Sequence, residues 1–375
     1  MLLNQHIQFI DVKGVGEVDL TLSDKKMNVL IGSNGVGKTK TLETLYTLLL
    51  FTNRTIADNY FAYQHNFNFK ACKINRKFVY KDKFNHSSLP SRIGELLTTD
   101  FIHDAPVIYL GAQHRGEIKH SGNKSISTLG EYSARQKNYL DTVLNHMGDS
   151  FSSLNMDTNI EEWFVQRALS ANAYQDKADN REIELLTVLR ILHEIDPRIS
   201  ANKEDFKVIG GETVSIMLEG QPRKLNELSS GFASLIKIIQ SIVAGYAFFT
   251  NSNNIENIKG YVLIDEIESH LHIEWQTKIL PLLNKVFPNT YFIITTHSSL
   301  VLTQLTAGAA YQLIRENNRV TAKKIINAGQ SALVDLLEDA FNVNLNEIRI
   351  KNTTAESQTD MKQALLAVLR GSHGQ

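Results

Sequence analysis

The stretch Met27-Asn-Val-Leu-Ile-Gly-Ser-Asn-Gly-Val-Gly-Lys-Thr39 decides the fold of this chain. An apolar run from Val29 to Ile31 leads into a glycine-rich loop with the spacing Gly-x4-Gly-Lys-Thr, and a helix-like segment follows. A strand, a glycine-rich loop and a helix start, in this order, are the context that a phosphate-binding P-loop requires. A chance glycine turn is the alternative, and the flanking pattern disfavours it. We therefore predict an α/β fold with a phosphate site in this segment.

Each residue type in this loop has a chemical role in such a site. Glycines let backbone N–H groups point at an anion, and a helix N-terminus adds partial positive charge. Lys38 is expected to reach the β- and γ-phosphates, and the Thr39 hydroxyl is expected to ligate Mg²⁺. The predicted phosphate-binding residues are Gly32, Asn34, Gly35, Gly37, Lys38 and Thr39.

Composition and charge limit the class of protein. The chain has 375 residues, of which 42% are hydrophobic and 21% charged, which is typical of one large or two ordinary globular domains. The formal net charge of −1 gives no overall attraction to nucleic acid or membrane, so such a contact needs a local patch. Cys72 is the single cysteine, which suits a reducing compartment. The N-terminus lacks a signal-peptide layout, and the apolar stretch near Ile238–Phe249 is too short to span a bilayer, so we expect a cytoplasmic protein without membrane contact.

The hydrophobic pattern predicts the remaining elements. They are, in order, a β-hairpin over 6–22, strands within 60–84, a buried strand over 106–110, helices over 130–200, two strands over 206–219, a turn and helix over 225–249, a strand over 260–264, a helix over 273–287, a strand over 291–295 and a last helix near 361–370. Buried strands separated by helices indicate an α/β sheet that is covered on both faces.

Two acids follow the predicted strand over 260–264. Asp265 and Glu266 lie where α/β sheets place their ligand crevice, at the carboxyl end of a strand. Asp265 can support the Mg²⁺ shell, while Glu266 orients or deprotonates the attacking water. Adjacent acids after a strand are common in proteins. Their position in the same predicted sheet as a P-loop makes this pair informative.

Three further motifs end a strand or begin a helix. The segment Leu228-Ser-Ser-Gly-Phe232 opens the helix over 225–249; one of its serines can cap the helix, and its glycine leaves the backbone free to approach an anion. An ordinary N-cap explains this segment equally well. His297 and Gln113 each follow a predicted strand, which would bring them near the γ-phosphate, the metal and the water. Taken alone, each is more often an ordinary polar residue.

In this order the motifs resemble those of ABC-type ATPases. Gly32–Thr39, Gln113, Leu228–Phe232, Val262–Glu266 and His297 look like the Walker A, Q-loop, signature, Walker B and switch-histidine motifs. The run Asp265-Glu-Ile-Glu-Ser-His-Leu-His-Ile-Glu-Trp-Gln276 is similar to that of the RecF/SMC-like and OLD-like subgroup. The chain also resembles the stand-alone ATPase subunits of the anti-phage systems Septu and PARIS.

The resemblance implies a fold and a set of roles. The fold is an ABC-type P-loop ATPase head with an antiparallel β lobe and a helical insertion, and its cofactors are ATP and Mg²⁺. The implied metal-site residues are Thr39, Gln113 and Asp265, and the implied catalytic residues are Glu266, His297 and Gln113. The implied trans-acting residues are Ser229, Ser230 and Gly231, which would touch ATP held by a second subunit. The serine at 230 and the phenylalanine at 232 depart from the usual signature, and Ile273 replaces a proline of the family.

The predicted regions and partners follow from the same comparison. The regions are an N-terminal ATPase lobe over 1–116, a helical insertion over 117–205, a C-terminal ATPase lobe over 206–345 and a tail over 346–375. We expect a head-to-tail homodimer or a higher homo-oligomer, with Ser269 and His270 at the seam. The residues after 345 are too few for the nuclease domain of OLD-like proteins, so a separate nuclease or toxin is the expected effector.

A basic and aromatic segment leaves a second function open. Residues 70–83 carry Lys73, Arg76 and Lys77 among aromatic residues, a pattern that suits a DNA backbone. The solvated face of a β-hairpin explains the same pattern. The alternatives to a defence ATPase are therefore a RecF-type DNA-repair ATPase and a nucleotide-gated scaffold that sequesters an effector. A zinc site at His270 and His272 is disfavoured, because their spacing points them to different sides of a helix.

Overall fold

A mixed β-sheet carries the P-loop strand near its centre. The computed structural model describes residues 2–60, 63, 66–81, 95–96, 100–118, 127–326 and 328–329, and within them this sheet has eleven strands. The strands of the chain are β1 (His6–Val12), β2 (Gly16–Thr21), β3 (Met27–Ile31), β4 (Ala71–Ile74), β5 (Lys77–Lys81), β6 (Glu95–Leu96), β7 (Val107–Leu110), β8 (Lys207–Ile209), β9 (Thr213–Leu218), β10 (Gln221–Lys224), β11 (Tyr261–Ile264), β12 (Tyr291–Thr295), β13 (Ala309–Glu316) and β14 (Arg319–Ile325).

The large sheet has a parallel half and an antiparallel half. Its strand order is β6-β5-β4-β1-β2-β14-β13-β3-β12-β11-β7. The strands β13, β3, β12, β11 and β7 run parallel to one another, while the order from β6 to β2 is antiparallel throughout. Strands β8, β9 and β10 form a separate antiparallel sheet. The predicted α/β class with an antiparallel β lobe is confirmed.

Helices cover the parallel half of the sheet, and three of the described helices lie between β7 and β8 along the chain. They are α1 (Lys38–Phe51), α2 (Arg54–Asn59), α3 (Tyr132–Asp149), α4 (Ile160–Leu169), α5 (Glu182–Ile195), α6 (Ser230–Thr250), α7 (Ile273–Gln276), α8 (Ile279–Val286) and α9 (Ser299–Thr303).

Both faces of the parallel half are covered, which explains why its strands are apolar at successive positions. The α1 residue Tyr46 packs on Tyr109 of β7, with 5.3 Å between the ring centroids. On the other face α6 comes so close that a Cβ on its Gly245 would lie 2.7 Å from Ile108. Because Ile108 and Tyr109 are adjacent in a strand, their side chains point to opposite faces. Every residue of β3, β7 and β11 is accordingly buried.

The register of the parallel strands aligns their carboxyl ends. Leu30 pairs with Thr295, Ile294 pairs with Ile264, and Ile264 pairs with Leu110. The segments after β3, β12, β11 and β7 therefore begin at one edge of the sheet. These are the segments that carry the P-loop and the other predicted site residues, except those at the start of α6.

Most predicted elements are confirmed, and one is wrong in its extent. The predicted helix over 273–287 is two short helices, α7 and α8. Pro281 is the reason, because proline has no N–H to donate to the carbonyl of Thr277 and its ring clashes with that carbonyl. Within the predicted strand region 60–84, the described strands are β4 and β5. The predicted tail over 346–375 and its helix near 361–370 lie outside the described residues.

Helix α6 is the most apolar long helix of the described chain. By length and composition it is able to cross a membrane, but 83% of that apolar window is buried inside the structure. A core helix of a globular protein passes the same test. Its burial against β7 and the neighbouring helices accounts for its composition.

A buried ion pair network holds the helical region to the end of α6. Glu184 of α5 accepts from Arg167 Nε of α4 at 2.9 Å and from Arg181 Nε at 2.5 Å. Arg181 also donates to the backbone carbonyls of Asn251 and Ser252, which follow α6. The three charged side chains are 1–3% exposed, so one carboxylate compensates two buried guanidinium groups.

Replacing Glu184 by glutamine is expected to lower the free energy of unfolding by about 3 kcal/mol, because two buried cations lose their counter-charge. Urea unfolding followed by circular dichroism measures this change. The control is Glu274→Gln, which breaks the exposed Glu274–Lys278 pair and should leave the unfolding midpoint unchanged. Equal midpoints for Glu184→Gln and the wild type would contradict the proposed role of the network.

Candidate nucleotide-binding site

The P-loop adopts the conformation that its glycines allow. Gly35 and Gly37 have φ angles of 77° and 107°, in the region that side chains rarely adopt. Gly37 is the N-cap of α1, no side chain caps this helix, and its first turn contains no acidic residue. Among the described residues no side chain thus accepts from the N–H groups at the start of α1. This arrangement is suited to an anion such as phosphate.

Lys38 is a buried cation that folds back over its own loop. Its Nζ donates to the carbonyl oxygens of Gly32 at 2.8 Å and Ser33 at 2.9 Å. Burial lowers the pKa of Lys38, and the negative charges of Glu266 and Asp265 oppose this shift. In the described chain these two carbonyls are the hydrogen-bond partners of the buried ammonium group, which is well placed to exchange them for phosphate oxygens.

A hydroxyl on each side holds the Asp265 carboxylate. Thr39 Oγ1 donates to Asp265 Oδ2 at 3.0 Å, which joins the end of the P-loop to the acid after β11. Thr295, the last residue of β12, donates from its Oγ1 to Asp265 Oδ1 at 2.6 Å. Asp265 is 2% exposed, and burial raises the pKa of its carboxyl. The sequence predicted Thr39 and Asp265 here but not Thr295.

Glu266 has a strained backbone that two neighbours hold. Its φ is 46°, a left-handed conformation that costs a non-glycine residue about 1–3 kcal/mol. Its N–H donates to Thr295 Oγ1 at 2.8 Å, and its carbonyl accepts from Arg115 Nη1 at 2.8 Å. Its carboxylate accepts from Ser269 Oγ at 3.1 Å and lies 3.7 Å from His297 Nε2. The side chain of Glu266 is 39% exposed, so it is open to water while its backbone is fixed.

Arg115 is the principal site residue that the sequence did not reveal. It is fully buried, and its Nη2 donates to the carbonyls of Gly111 at 2.5 Å and Asp265 at 2.7 Å. Burial lowers the pKa of Arg115 to about 10, so the guanidinium stays charged at neutral pH. It therefore joins the segment after β7 to both acids after β11. In the sequence, Arg115 is only a charged residue soon after a buried strand, and this pattern is too common to predict a site residue.

The switch-histidine segment is held by a third acid. Glu268 accepts from the His297 N–H at 2.5 Å and from Thr296 Oγ1 at 2.7 Å. Next to it, Ser298 Oγ donates to Gln276 Oε1 at 2.9 Å. The long acidic run after β11 thus positions the segment after β12. His297 and Glu266 thereby lie at the same edge of the sheet, with His297 Nε2 3.7 Å from Glu266 Oε1.

Gln113 lies on the same edge but contacts neither acid through a hydrogen bond. Its Oε1 accepts from Ser152 Oγ at 2.9 Å, and its side chain is exposed. Within the described chain no hydrogen bond joins Gln113 to Thr39 or Asp265. Its assignment to the metal shell therefore stays a prediction.

The signature residues lie at the start of α6, where Gly231 packs against the loop after β11. A Cβ on Gly231 would lie 2.9 Å from the Trp275 ring and 3.2 Å from the His270 carbonyl, so glycine is needed for this close contact. The predicted serine cap is wrong, because Ser229 occupies the N-cap position without a side-chain bond. Among the described residues no hydrogen bond or ion pair links Ser229, Ser230 or Gly231 to the P-loop.

The basic segment lies in the antiparallel half of the sheet. Lys73, Arg76 and Lys77 belong to the β4–β5 hairpin, and Lys73 Nζ lies 4.7 Å from the centroid of the partly exposed Phe78 ring. Tyr80 of the same hairpin is 2% exposed, as part of the core. The hairpin offers cations but fewer stacking rings than its sequence suggested. DNA binding there stays a prediction.

The sheet, the P-loop and the two acids together define a P-loop ATPase of the ABC type. A family model described as "AAA domain, putative AbiEii toxin, Type IV TA system" matches residues 114–303, half of the chain. The protein belongs to this family.

The chain is also similar to several known proteins and to one solved structure. The chain is 25% identical to a Septu protein PtuA of Bacillus thuringiensis over 80% of its own length and 72% of that protein. It is 39% identical to the retron Vc95 probable ATPase of Vibrio cholerae serotype O1 biovar El Tor over 25% of this chain and 18% of that one. It is 36% identical to the retron Ec83 probable ATPase of Escherichia coli, over 31% of this chain and 21% of that one. The SMC head domain of Thermotoga maritima aligns with a TM-score of 0.42 at 14% identity, over 87% of this chain and all of that one.

Replacing Asp265 by asparagine is expected to raise the melting temperature of the nucleotide-free protein. Its raised pKa means that ionising this carboxyl is less favourable in the folded than in the unfolded chain. The gain in melting temperature should be largest at pH values above the folded pKa of this carboxyl, where the wild-type group is ionised. It should shrink as the pH falls through the folded pKa towards the unfolded value of about 3.9, because the wild-type carboxyl is then protonated.

Calorimetric melting at several pH values between neutral and acidic tests this expectation. The control is Asp58→Asn, at an exposed position of α2, which should melt like the wild type throughout. A variant at Asp265 that melts below the wild type at every pH would show that the ionised carboxylate stabilises the fold.

Proposed function

We propose that the protein binds ATP with Mg²⁺ at this edge of the sheet and hydrolyses it. We propose further that it works as a head-to-tail dimer or higher oligomer that controls a separate nuclease or toxin in anti-phage defence. One observation carries the proposal: Thr39, Asp265, Glu266 and His297, from three distant segments, are joined by polar contacts at one edge of the sheet, and Lys38 precedes Thr39 in the P-loop.

The P-loop fits the phosphate tail of ATP. The start of α1 presents N–H groups without a side-chain cap, and Lys38 Nζ rests on two carbonyls of the same loop. Phosphate oxygens accept from both kinds of donor. Lys38 would exchange its two carbonyl partners for the β- and γ-phosphates, which supports a nucleotide as the ligand.

The oxygen atoms near the P-loop fit Mg²⁺. Thr39 Oγ1 and Asp265 Oδ2 are 3.0 Å apart, and Mg²⁺ prefers oxygen ligands of these two kinds. Thr39 and Asp265 would hold Mg²⁺ there, and the ion would supply positive charge beside the phosphate oxygens. Thr295 keeps the carboxylate in place, and Gln113 is a further proposed oxygen ligand.

Glu266 and His297 supply the chemistry at the γ-phosphate. The exposed Glu266 carboxylate is proposed to orient a water molecule and accept its proton as the water attacks phosphorus. Ser269 holds one carboxylate oxygen, and the fixed backbone of Glu266 directs the side chain. The imidazole of His297 is proposed to donate to the γ-phosphate.

The placement of the signature residues supports a dimer. Gly231 packs on the loop after β11, Ser229 and Ser230 beside it are exposed, and in the described chain none of the three bonds its own P-loop. Beside this loop Ile273 is 67% exposed. In a head-to-tail pair, the start of α6 in one subunit would complete the ATP site of the other.

The proposed defence role rests on the relatives. The alignment with the Septu protein PtuA covers most of both chains, and the alignments with two retron ATPases cover shorter segments. We propose that the ATP state of this protein restrains or releases a partner nuclease or toxin in the cytoplasm. The alternative is a scaffold that binds ATP without hydrolysing it. The variants described below distinguish this scaffold from an ATPase whose turnover controls the partner.

Replacing Glu266 by glutamine is expected to lower kcat for ATP hydrolysis by about 10²–10⁴-fold while ATP still binds, because the general base is lost. Phosphate release and equilibrium binding of labelled ATP measure the two effects. Lys38→Ala should lose binding as well, since it removes a phosphate ligand.

The matched control for hydrolysis is Glu204→Gln, an exposed acid outside the site, which should turn over like the wild type. Equal rates for Glu266→Gln and the wild type would show that the hydrolytic assignment is wrong. If the wild type and Glu266→Gln also controlled a partner equally, the protein would be a scaffold that acts by binding ATP, and hydrolysis would not be needed.

ATP is expected to double the solution mass of the Glu266→Gln variant, because trapped nucleotide holds two heads together. Light scattering after size exclusion, with and without Mg-ATP, measures this. Adding Gly231→Ala should prevent the shift, since a Cβ there meets the Trp275 ring at the proposed seam. An unchanged mass with bound ATP would contradict the dimer.

A further inference from the structure

A second cavity lies among the helices between β7 and β11. Its volume is about 370 Å³, and none of its lining residues belongs to the nucleotide site described above. Helices α3, α4 and α6 and the turn Asn155–Asn159 form its walls. Pockets for small molecules commonly have volumes of roughly 300–1,000 Å³. The cavity therefore has the size of a small-molecule site.

The floor of the cavity carries a buried carboxamide with unused hydrogen-bonding capacity. Gln240 interrupts the apolar helix α6 and is 2% exposed. In the described chain its only side-chain hydrogen bond is a 3.5 Å contact, in which Ser241 Oγ donates to its Oε1. Among the described residues its amide nitrogen has no protein partner, so it is available to a molecule in the cavity. The indole N–H of Trp163, which lines the same cavity, is buried and has no hydrogen-bond partner in the described chain. Because an unpaired buried polar group costs about 1–3 kcal/mol, this N–H points to a ligand that accepts from it.

Aromatic rings line the same cavity. Tyr139 of α3 and Phe248 of α6 stack with their centroids 4.6 Å apart and their planes 14° apart. Trp163 of α4 lines the wall beside them, with the Arg167 guanidinium 4.5 Å from its ring centroid. A cavity that combines aromatic walls with carboxamides is suited to a flat heteroaromatic ring.

Both guanidinium groups that line the cavity are already compensated, and its third charged lining residue, Glu162, is an acid. Arg167 pairs with Glu184 at 2.9 Å, and Arg135 pairs with Asp179 at 3.2 Å. Arg135 also donates to Asn251 Oδ1 and to a backbone carbonyl. Since neither guanidinium is left for an anion, an uncharged ligand fits better than a phosphate or a carboxylate.

We propose that this cavity binds a nucleoside through its base. The base would lie along the aromatic wall, and its ring-edge donor and acceptor would pair with the Gln240 carboxamide, as amides pair with adenine. This site is separate from the P-loop. A result that excludes nucleoside binding here would therefore leave the proposed ATPase activity untouched, and a result that excludes ATPase activity would leave nucleoside binding untouched.

The test uses Trp163 as a reporter. The chain has two tryptophans, and Trp275→Phe leaves Trp163 as the only one. Adenosine, guanosine, cytidine and uridine, which lack phosphate, are each titrated into this variant up to about 1 mM. At least one nucleoside is expected to quench the fluorescence with saturation, because the base would stack near the indole.

Three further variants, made in the Trp275→Phe background, identify the binding site. Gln240→Leu keeps the size and helix propensity and should weaken binding about tenfold, through the lost amide pair. Gln304→Leu, at the end of α9, is the matched control and should bind like the parent. Lys38→Ala should also bind like the parent, since the P-loop is not involved.

Several results would overturn the proposal. They are the absence of saturable quenching with all four nucleosides, equal affinity in Gln240→Leu, and loss of quenching in Lys38→Ala, which would place the nucleoside at the P-loop. Tighter binding of a 5′-monophosphate than of its nucleoside would show recognition of charge and overturn the assignment of an uncharged ligand.

Discussion

The buried guanidinium of Arg115 is the contact on which the site depends. It bonds the carbonyls of Gly111, Asp265 and Glu266, and so joins the ends of β7 and β11. A buried cation is costly unless its donors are used, and separating these two segments would leave several donors unpaired. Thr295 adds the link from β12, since its hydroxyl bonds both acids. Arg115 and Thr295 thus fix the two acids against β7 and β12, and Thr39 joins Asp265 to the P-loop.

Unfavourable features are concentrated where phosphate and metal are proposed to bind. The pKa of Lys38 is lowered and that of Asp265 is raised, in both cases by burial, and Glu266 has a left-handed backbone. A chain selected only for stability would avoid each of them. Such features persist where the surrounding structure fixes them and where function uses them. Their clustering supports the proposed function independently of the sequence motifs.

Helix α6 is the element shared by the site, the helical region and the second cavity. Near its start, Ser234 donates to the Ser269 carbonyl, in the loop that carries the acids. One turn further, buried Lys237 donates to the carbonyls of His114 and Met156. Gln240 then lines the cavity, and the end of the helix is held by Arg181. A rigid helix with contacts at each end couples the positions of these regions physically.

The sequence by itself determined the class of the fold, the P-loop and the two acids after β11, because each is a contiguous motif whose spacing fixes the local backbone. It also indicated His297, which follows a strand in the same way. Only the tertiary structure decided the roles of Arg115, Thr295 and Glu268, the packing of Gly231 on Trp275, and the cavity at Gln240. These depend on strand order and register, which bring together residues up to about 150 positions apart, such as Arg115 and Asp265. A local pattern records which residues follow a strand but not which neighbouring strand they meet.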